Sequence, residues 1–348
     1  MKIGLLTYHH SINNGATFQT YATVKALHSL GHEVVIIDIR QSEKKYSGLK
    51  NVIADAVKAK RFADARRFRD KYYPELTRRY YSVDELRSDP PAVDCLIVGS
   101  DQTWNVGISK AMAMAYFLDF GSDSIKRYSY ASSVGVETWN VEQGMTRHIA
   151  DALKRFDAVS VRERTGAKLL NEVFGINASV CVDPSLLFDG YPELSGQIIG
   201  RNEIVCYKLD RDSVFFSGVR KLKEETGIPV RILSSLYPVL GLRYTYPPGI
   251  PEWIRRIAGA KLVITDSFHG VVLSVLYHRS FIVLLNNNGK SSRILDLLGT
   301  LGLQNRICSD ASSLSEFYSS LEPIDYSVVD NKLESLRAAS WAYLKNIG

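Results

Sequence analysis

Paired cysteine motifs, long apolar segments and internal repeats are all missing from this chain of 348 residues. The four cysteines lie far apart, and none has the CxxC spacing of a zinc site or a redox dithiol. Apolar runs are too short to span a bilayer, and the first one turns polar at Tyr8, too early for the apolar region of a signal peptide. We therefore expect reduced thiols and a soluble, cytoplasmic protein.

Charge is balanced along most of the chain, and the formal net charge of +6 comes from one segment. Residues 58–79 hold nine Lys or Arg against Asp64, Asp70 and Glu75, with four aromatic residues between them. One interpretation is a basic amphipathic helix that rests on the inner face of an anionic membrane. The other, which we favour, is a surface helix whose aromatic face packs on the core. Because the remainder is balanced, we expect no nucleic-acid partner.

Short β-branched runs alternate with helix-forming stretches, which predicts an α/β fold with parallel sheets covered on both faces. The first unit is βαβ, with a helix over residues 17–30 closed by Gly31. Further helices are predicted over 141–155 and 163–173. The predicted strands cover residues 2–7, 33–39, 95–98, 127–131, 158–161, 179–182, 204–209, 230–233, 262–265 and 281–285.

A stretch rich in proline and glycine, residues 183–202, has no sustained period and predicts a domain boundary. We expect an N-terminal Rossmann-like domain over 1–188 and a C-terminal one over 200–329, facing each other across a cleft. The stretch 330–348 is predicted to be a helix that packs back on the first domain.

Ligands of open α/β sheets bind beyond the carboxyl ends of the strands, and polar residues crowd these positions here. The Asn13-Asn14-Gly15 turn opens a helix, where backbone N–H groups favour an anion; an ordinary capping turn is an equal alternative. It is not the GxGxxG fingerprint. The polar positions include His9, His10, Asn14, Gly15, Ser100, Asp101, Gln102, Ser132, Ser133, Arg162, Arg164, Asp266, Ser267, His269 and Asn286 to Asn288.

Asp101 follows a buried strand, where a carboxylate needs a partner, so it is a candidate for orienting or deprotonating a substrate hydroxyl. The alternative is a helix N-cap. Arg162 and Arg164 alternate along a segment that we expect to be extended, which would let both bind one carboxylate or phosphate. A structural salt bridge to Asp157 or Glu163 is the alternative.

The segment Asp266-Ser267-Phe268-His269-Gly270 lies between a predicted strand and a predicted helix. Ser267 and the N–H groups of the turn can hold a phosphate, while His269 moves a proton and Gly270 permits close approach. A lone histidine is more often a satisfied polar residue, but its position at a strand end favours function. A second helix start at Ser291-Ser292-Arg293 offers further anion contacts.

Six segments in order resemble the polysaccharide pyruvyl transferase family, from Met1 to about Leu303. They are MKIGLLTYHHSINNGATFQTYA, DCLIVGSDQTWN, SYASSVG, VSVRERTGAKLL, VCVDPSLLF and ITDSFHGVVLSVLY. The resemblance implies a glycosyltransferase-B-like (GT-B-like) pair of Rossmann-type domains that transfers the pyruvyl group of phosphoenolpyruvate to a sugar, forming a pyruvate ketal and releasing phosphate, without a cofactor or metal.

The acceptor implied by the resemblance is a sugar unit of an exopolysaccharide, capsule or cell-wall glycan precursor, lipid-linked in some members. The resemblance also matches His269 to the donor-site histidine of the family, and Arg162 and Asp101 to its arginine and strand-end aspartate. Many members have arginine where this chain has Ser267; Arg164 or Arg293 would have to substitute.

Two other functions use the same residues. One is a glycosyltransferase that takes a nucleotide sugar, since the architecture serves both reactions. The other is a non-catalytic protein that binds an anion or a sugar, which Ser267 in place of arginine favours.

Overall fold

The protein is described from a computed structural model, which covers residues 1–40, 52–234, 237–285 and 291–348, without the side chains of residues 52–58. Its contacts divide the chain into two compact units. The first unit comprises residues 1–47, 69–187 and 334–348, and the second comprises 48–68 and 188–333. Two helices, Val52–Tyr72 and Tyr326–Lys345, therefore contribute residues to both units.

The first unit is built on a parallel five-stranded sheet in the order β3-β2-β1-β4-β5. Its central strands are apolar runs buried on both faces, as parallel sheets require. A two-stranded parallel pair, β6 and β7, follows in the chain. The strands are β1 Lys2–Leu6, β2 Glu33–Ile39, β3 Leu76–Tyr80, β4 Cys95–Val98, β5 Lys126–Ser129, β6 Ser160–Val161 and β7 Ser179–Val180.

Helices link the strands of the first unit, and the second helix of the chain ends within it. The helices are α1 Asn14–Ser29, α2 Val52–Tyr72, α3 Val83–Ser88, α4 Val106–Ser109, α5 Ala113–Tyr116, α6 Gln143–Leu153 and α7 Arg164–Phe174. Helix α1 begins three residues earlier than predicted, because Asn13 caps it by accepting a hydrogen bond from Gly15 N at 2.9 Å.

The second unit repeats this design with a parallel six-stranded sheet in the order β10-β9-β8-β11-β12-β13. Its strands are β8 Ile204–Tyr207, β9 Val230–Leu233, β10 Arg243–Thr245, β11 Leu262–Thr265, β12 Ser280–Leu284 and β13 Ile307–Cys308. Its helices are α8 Pro192–Ser195, α9 Ser213–Thr226, α10 Ile250–Ala258, α11 Phe268–Leu276, α12 Ser292–Leu301 and α13 Leu314–Ser319.

The last helix, α14 Tyr326–Lys345, places its C-terminal half in the first unit. There Ser340 Oγ accepts a hydrogen bond from Val182 N at 3.0 Å, and Tyr343 Oη donates one to Ser129 O at 2.8 Å. These bonds tie the end of the chain to the strands of the first unit.

The basic segment 58–79 covers most of α2 and all but the last residue of the edge strand β3. Phe68 is buried, Tyr72 packs edge-on against Tyr21, and Tyr73 donates a hydrogen bond to Thr17 O at 3.0 Å. Phe62 is exposed. Most of the aromatic side chains thus face the core, and contact of this segment with a membrane remains a prediction. Across the described ranges, no helix has both the length and the apolar character to cross a bilayer.

Candidate active site

Each of the two larger sheets has a point at which the strand order reverses, and polar residues follow the strands on either side of it. In the first unit this point lies between β1 and β4, and in the second between β8 and β11. The loops that follow such strands leave the sheet in opposite directions, so a crevice opens at their carboxyl ends. We therefore describe the residues that follow these four strands, one unit at a time.

Asp101 lies on a tightly packed loop after β4. Gly99 precedes it with φ +116°, and a Cβ at Gly99 would overlap the carbonyl oxygen of Tyr130. Asp101 itself has φ +71°, an unfavourable conformation for a residue other than glycine, and it bridges to Ser132. Such a conformation persists only where the surroundings enforce it, which fits a functional role.

The helix-cap alternative for Asp101 is not what the structure shows. Asp101 Oδ1 accepts a hydrogen bond from the adjacent Gln102 N at 2.9 Å, and the next helix, α4, is capped by Asn105. The side chain of Asp101 is 15% exposed.

Arg162 forms a buried ion pair in the first unit. Its Nη1 lies 2.5 Å from Asp183 Oδ2, and its Nη2 lies 3.7 Å from Asp101 Oδ1. Burial alone would lower the pKa of Arg162, but the carboxylates of Asp183 and Asp101 raise it above its ordinary value. Ser100 is also buried and donates a hydrogen bond to Asp183 Oδ2 at 3.2 Å. Arg162 thus connects a fully buried carboxylate to the partly exposed Asp101.

The expectation that Arg162 and Arg164 lie side by side on an extended segment is wrong. Strand β6 ends at Val161, and Arg164 is the exposed first residue of α7, whereas the side chain of Arg162 is 2% exposed. Glu163 points inward and accepts a hydrogen bond from Ser133 Oγ at 2.9 Å. Arg162 forms ion pairs with Asp183 and Asp101, and neither is one of the two carboxylates proposed from the sequence.

The turn at Asn14 and Gly15 has the geometry of an ordinary helix cap. The Gly15 N–H is bonded to the side chain of Asn13, and Asn14 is the first residue of α1. The structure therefore favours the capping alternative for Gly15.

In the second unit, Ser267, His269 and Gly270 occupy the turn from β11 into α11. Ser267 is the N-cap of α11, and its own N–H is bonded to Thr265 Oγ1 at 3.0 Å. A Cβ at Gly270 would overlap Thr265 Oγ1, so only glycine fits there. Ser267 and His269 are 9% and 7% exposed. The first turn of α11 and its dipole favour an anion at this point.

Lys208 is a residue of this site that the sequence analysis missed. It directly follows β8, whose last residue, Tyr207, pairs with Thr265 at the end of β11. Its Nζ lies 3.2 Å from Asp266 Oδ2, and Asp266 also accepts hydrogen bonds from Leu209 N and Asp210 N, at 2.7 and 3.0 Å. The predicted strand 204–209 includes Lys208, so Lys208 was treated as a strand residue. The feature that could have indicated it is a lysine at the point where the apolar run ends.

Ser292 and Arg293 begin α12 in the same unit. Ser292 is buried, and the Arg293 guanidinium lies 6.0 Å from the centre of the Phe268 ring, which itself contacts the His269 ring edge-on. Arg293 therefore lies near the start of α11. Asn286 to Asn288 lie outside the described residues.

The structure thus groups the predicted site residues into two sets. Arg164 is an exposed residue at the start of α7, while Asn14 and Gly15 belong to a helix cap. The first unit groups Ser100, Asp101, Gln102, Ser133 and Arg162, and the second groups Ser267, His269, Gly270, Ser292 and Arg293 with Lys208.

A family model described as polysaccharide pyruvyl transferase matches residues 13–288, well over half of the chain. A search of curated proteins finds no match.

Similar solved structures include nucleotide-sugar enzymes. A putative UDP-N-acetylglucosamine 2-epimerase from Listeria monocytogenes is 12% identical with a TM-score of 0.55, over 97% of this chain and 90% of that one. The UDP-GlcNAc 2-epimerase from Neisseria meningitidis bound to UDP-GlcNAc is 12% identical with a TM-score of 0.54, over 99% and 98%. An alpha-glucosyltransferase in complex with UDP and DNA is 11% identical with a TM-score of 0.53, over 100% and 95%. These likenesses confirm the GT-B-like α/β fold.

Proposed function

The chain belongs to the polysaccharide pyruvyl transferase family, and from this premise we propose that it transfers the pyruvyl group of phosphoenolpyruvate to a sugar unit of a polysaccharide precursor. The products are a pyruvate ketal and inorganic phosphate. The observation that carries the proposal is the grouping of His269 with Arg293 and Lys208 beside the N-terminus of α11.

We assign the donor to the second unit. Phosphoenolpyruvate carries a phosphate and a carboxylate, which call for two anion contacts. The first turn of α11 with Ser267 offers one, and the cations of Lys208 and Arg293 offer the other. Gly270 lets the first turn of α11 pack closely on Thr265 at the end of β11.

The chemical step begins with a proton. His269 donates it to the methylene carbon C3 of the donor, which becomes a methyl group and leaves C2 electrophilic. A sugar hydroxyl then forms a C–O bond to C2, and its proton passes to a base. The C2–O bond to phosphate breaks, and a second hydroxyl of the sugar closes the ketal while losing its own proton.

Asp101 in the first unit is the candidate for the acceptor hydroxyl, since its carboxylate is partly exposed at the end of β4. Arg162 is a positioning residue in this proposal rather than a direct ligand. It is buried and holds the carboxylates of Asp183 and Asp101 in place.

The test measures which leaving group the protein releases. Purified protein is incubated with a panel of mono- and oligosaccharides and either phosphoenolpyruvate or nucleotide sugars, and released phosphate and nucleotide are quantified. We expect sugar-dependent phosphate release from phosphoenolpyruvate. Because two of the similar structures hold UDP or UDP-GlcNAc, nucleotide release is the informative opposite result, and nucleotide release alone would overturn the proposal.

A matched pair of variants separates catalysis from binding. His269→Ala is expected to reduce phosphate release at least about a hundredfold, the usual range for a lost general acid. His278→Ala is the control, because His278 is half-exposed in the same unit and pairs with Asp330 at 3.1 Å. Full activity in His269→Ala would contradict its assigned role, and absence of turnover in the wild type would favour a binding protein.

The class of acceptor also belongs to the proposal. We infer a precursor of an exopolysaccharide, capsule or cell-wall glycan, either free or lipid-linked. Binding of the wild-type protein to vesicles of anionic lipid, compared with neutral vesicles, tests whether the exposed Phe62 and the basic residues of 59–79 bring the protein to a membrane.

A further inference from the structure

A cavity of about 260 Å³ opens in the first unit beside β1, β2 and β4. It lies at the carboxyl ends of these strands, where the order of the sheet reverses. None of the residues in the two sets described above lines it. The lining residues are Tyr8, His10, Ile39, Arg40, Ile108, Ser109, Met112 and Tyr116.

The walls of the cavity are largely apolar and aromatic. The rings of Tyr8 and Tyr116 lie 4.9 Å apart and tilted, and Ile108 is 43% exposed although it is apolar. Aromatic faces beside aliphatic side chains suit the C–H face of a sugar ring, which is apolar while its edges are polar.

One side of the cavity is cationic. Arg40 donates to both oxygens of Asp38, through Nε at 2.6 Å and Nη2 at 2.9 Å, so its orientation is fixed and Nη1 remains on the outer edge. Burial and the neighbouring His9 and Arg40 lower the pKa of His10 to about 4.

Two buried nitrogen atoms near this wall have no hydrogen-bond partner among the described residues. They are Nδ1 of His10 and Nη1 of Arg69. The charge of Arg69 contributes to the lowered pKa of His10, and that of Arg40 contributes to the lowered pKa of Arg69, in both cases after the larger effect of burial. Buried polar atoms are nearly always paired, so each such atom calls for an explanation. An anionic ligand that accepts hydrogen bonds would supply one.

The wall formed by Tyr8 contacts the loop that carries Asp101. Tyr8 donates a hydrogen bond to Gln102 O at 3.4 Å, and the charge of Asp101 contributes to the raised pKa of both Tyr8 and Tyr116, after the larger effect of burial. A ligand between Tyr8 and Arg40 therefore has a carboxylate near one end and guanidinium groups near the other.

We propose that this cavity is the acceptor subsite and that it takes one pyranose ring with a negatively charged substituent, either a carboxylate or a phosphate. The ring packs on Tyr8 and Tyr116, the anionic group binds Arg40, and a hydroxyl on the far side approaches Asp101. The role of the cavity as the acceptor subsite rests on the proposed function, whereas the binding of an anionic sugar does not.

The size of the cavity limits the ligand to one sugar ring. Pockets for drug-sized ligands and cofactors enclose about 300–1,000 Å³, so this one is at or below the lower limit. A nucleotide or an oligosaccharide would have to extend out of it.

The test is a titration of the full-length protein followed by ligand-observed NMR, without phosphoenolpyruvate. The probes are glucose, galactose and mannose, each as the neutral sugar, the uronic acid and the 1-phosphate. We expect at least one charged form to bind about tenfold or more tightly than its neutral sugar, as a charge-assisted hydrogen bond implies. Preference for the uronic acid identifies a carboxylate as the substituent, and preference for the 1-phosphate identifies a phosphate.

Two pairs of variants locate the binding. Arg40→Gln is expected to abolish the preference for charged forms, whereas Arg79→Gln keeps it, because Arg79 also contacts Asp38, at 3.3 Å, but does not line the cavity. Ile108→Trp fills the cavity and is expected to weaken all probes, whereas Val136→Trp, at another exposed apolar position, has no effect.

The proposal is overturned if no probe binds, if neutral and charged forms bind equally, or if Ile108→Trp leaves binding unchanged. These results are separate from failure of the proposed function. If the protein binds the charged sugar through Arg40 but never releases phosphate from phosphoenolpyruvate, the proposed subsite stands and the proposed reaction is contradicted. If the Ile108→Trp variant turns over phosphoenolpyruvate with an unchanged KM for its sugar, the proposed reaction stands and the proposed subsite is contradicted.

Discussion

Replacement of Arg162 by methionine tests the ion pair in the first unit. The guanidinium and the carboxylate of Asp183 are 2% and 0% exposed and lie 2.5 Å apart. Arg162→Met leaves the charge of Asp183 buried without its cation. Removing one partner of a buried ion pair typically costs about 3–5 kcal/mol in the free energy of unfolding.

The assay is urea unfolding followed by circular dichroism. With a urea dependence of about 2 kcal/mol per molar, a loss of that size lowers the midpoint of the first unit's transition by roughly 2 M. Arg87→Met is the control, since Arg87 is 45% exposed and its pairs with Asp84 and Asp119 lie at the surface. Such pairs contribute about 0–1 kcal/mol. Equal midpoints for the two variants would refute the reasoning.

A second substitution at the same position tests the positioning role. If Arg162 acts through Asp101, the conservative Arg162→Lys should retain part of the stability while kcat falls and the KM for phosphoenolpyruvate stays near its wild-type value. A large rise in that KM with unchanged kcat would instead indicate that Arg162 binds the donor directly.

Three further predictions concern single side chains. Gly270→Ala forces a shift against Thr265 and should cost about 1–3 kcal/mol, seen as a lower Tm; an unchanged Tm would contradict the packing argument. Lys208→Met should raise the KM for phosphoenolpyruvate roughly tenfold or more, with partial rescue by Lys208→Arg; an unchanged KM would remove Lys208 from the donor site. The pKa of His10 is lowered to about 4 from an ordinary 6.5, so on acidification the unfolded chain binds the proton before the folded protein does. The free energy of unfolding should therefore fall as the pH drops from 6.5 to 4, and His10→Gln should make this fall less steep. Parallel curves of the unfolding free energy against pH for the two proteins would contradict this.

Much of the fold could be predicted because the central strands are apolar runs. Strands β2, β4, β9 and β11 have the predicted bounds. The missed strands, β3, β10 and β13, lie at sheet edges, where burial is partial and the apolar signal is weak. Strand β3 carries two exposed arginines, and β13 has two residues.

The sequence predicted the site only where neighbouring residues in the chain determine the local structure. His269 and Gly270 follow a strand and open a helix, which their local sequence indicates. The partner of Arg162 is 21 residues away in the chain, and pairing of that kind depends on how the strands pack. The extended geometry assumed for Arg164 conflicted with the helix predicted over 163–173. Strand β6 ends at Val161 and α7 begins at Arg164, so the helix prediction is the correct one.

The transfer reaction run in D2O tests the central claim most directly. If the donor is phosphoenolpyruvate and His269 protonates its methylene carbon, the ketal methyl group of the sugar product carries one deuterium, detected by mass spectrometry and NMR. The account predicts this singly deuterated pyruvyl group together with an equal amount of released phosphate. A sugar product without a pyruvyl group, formed with release of a nucleotide, would contradict it.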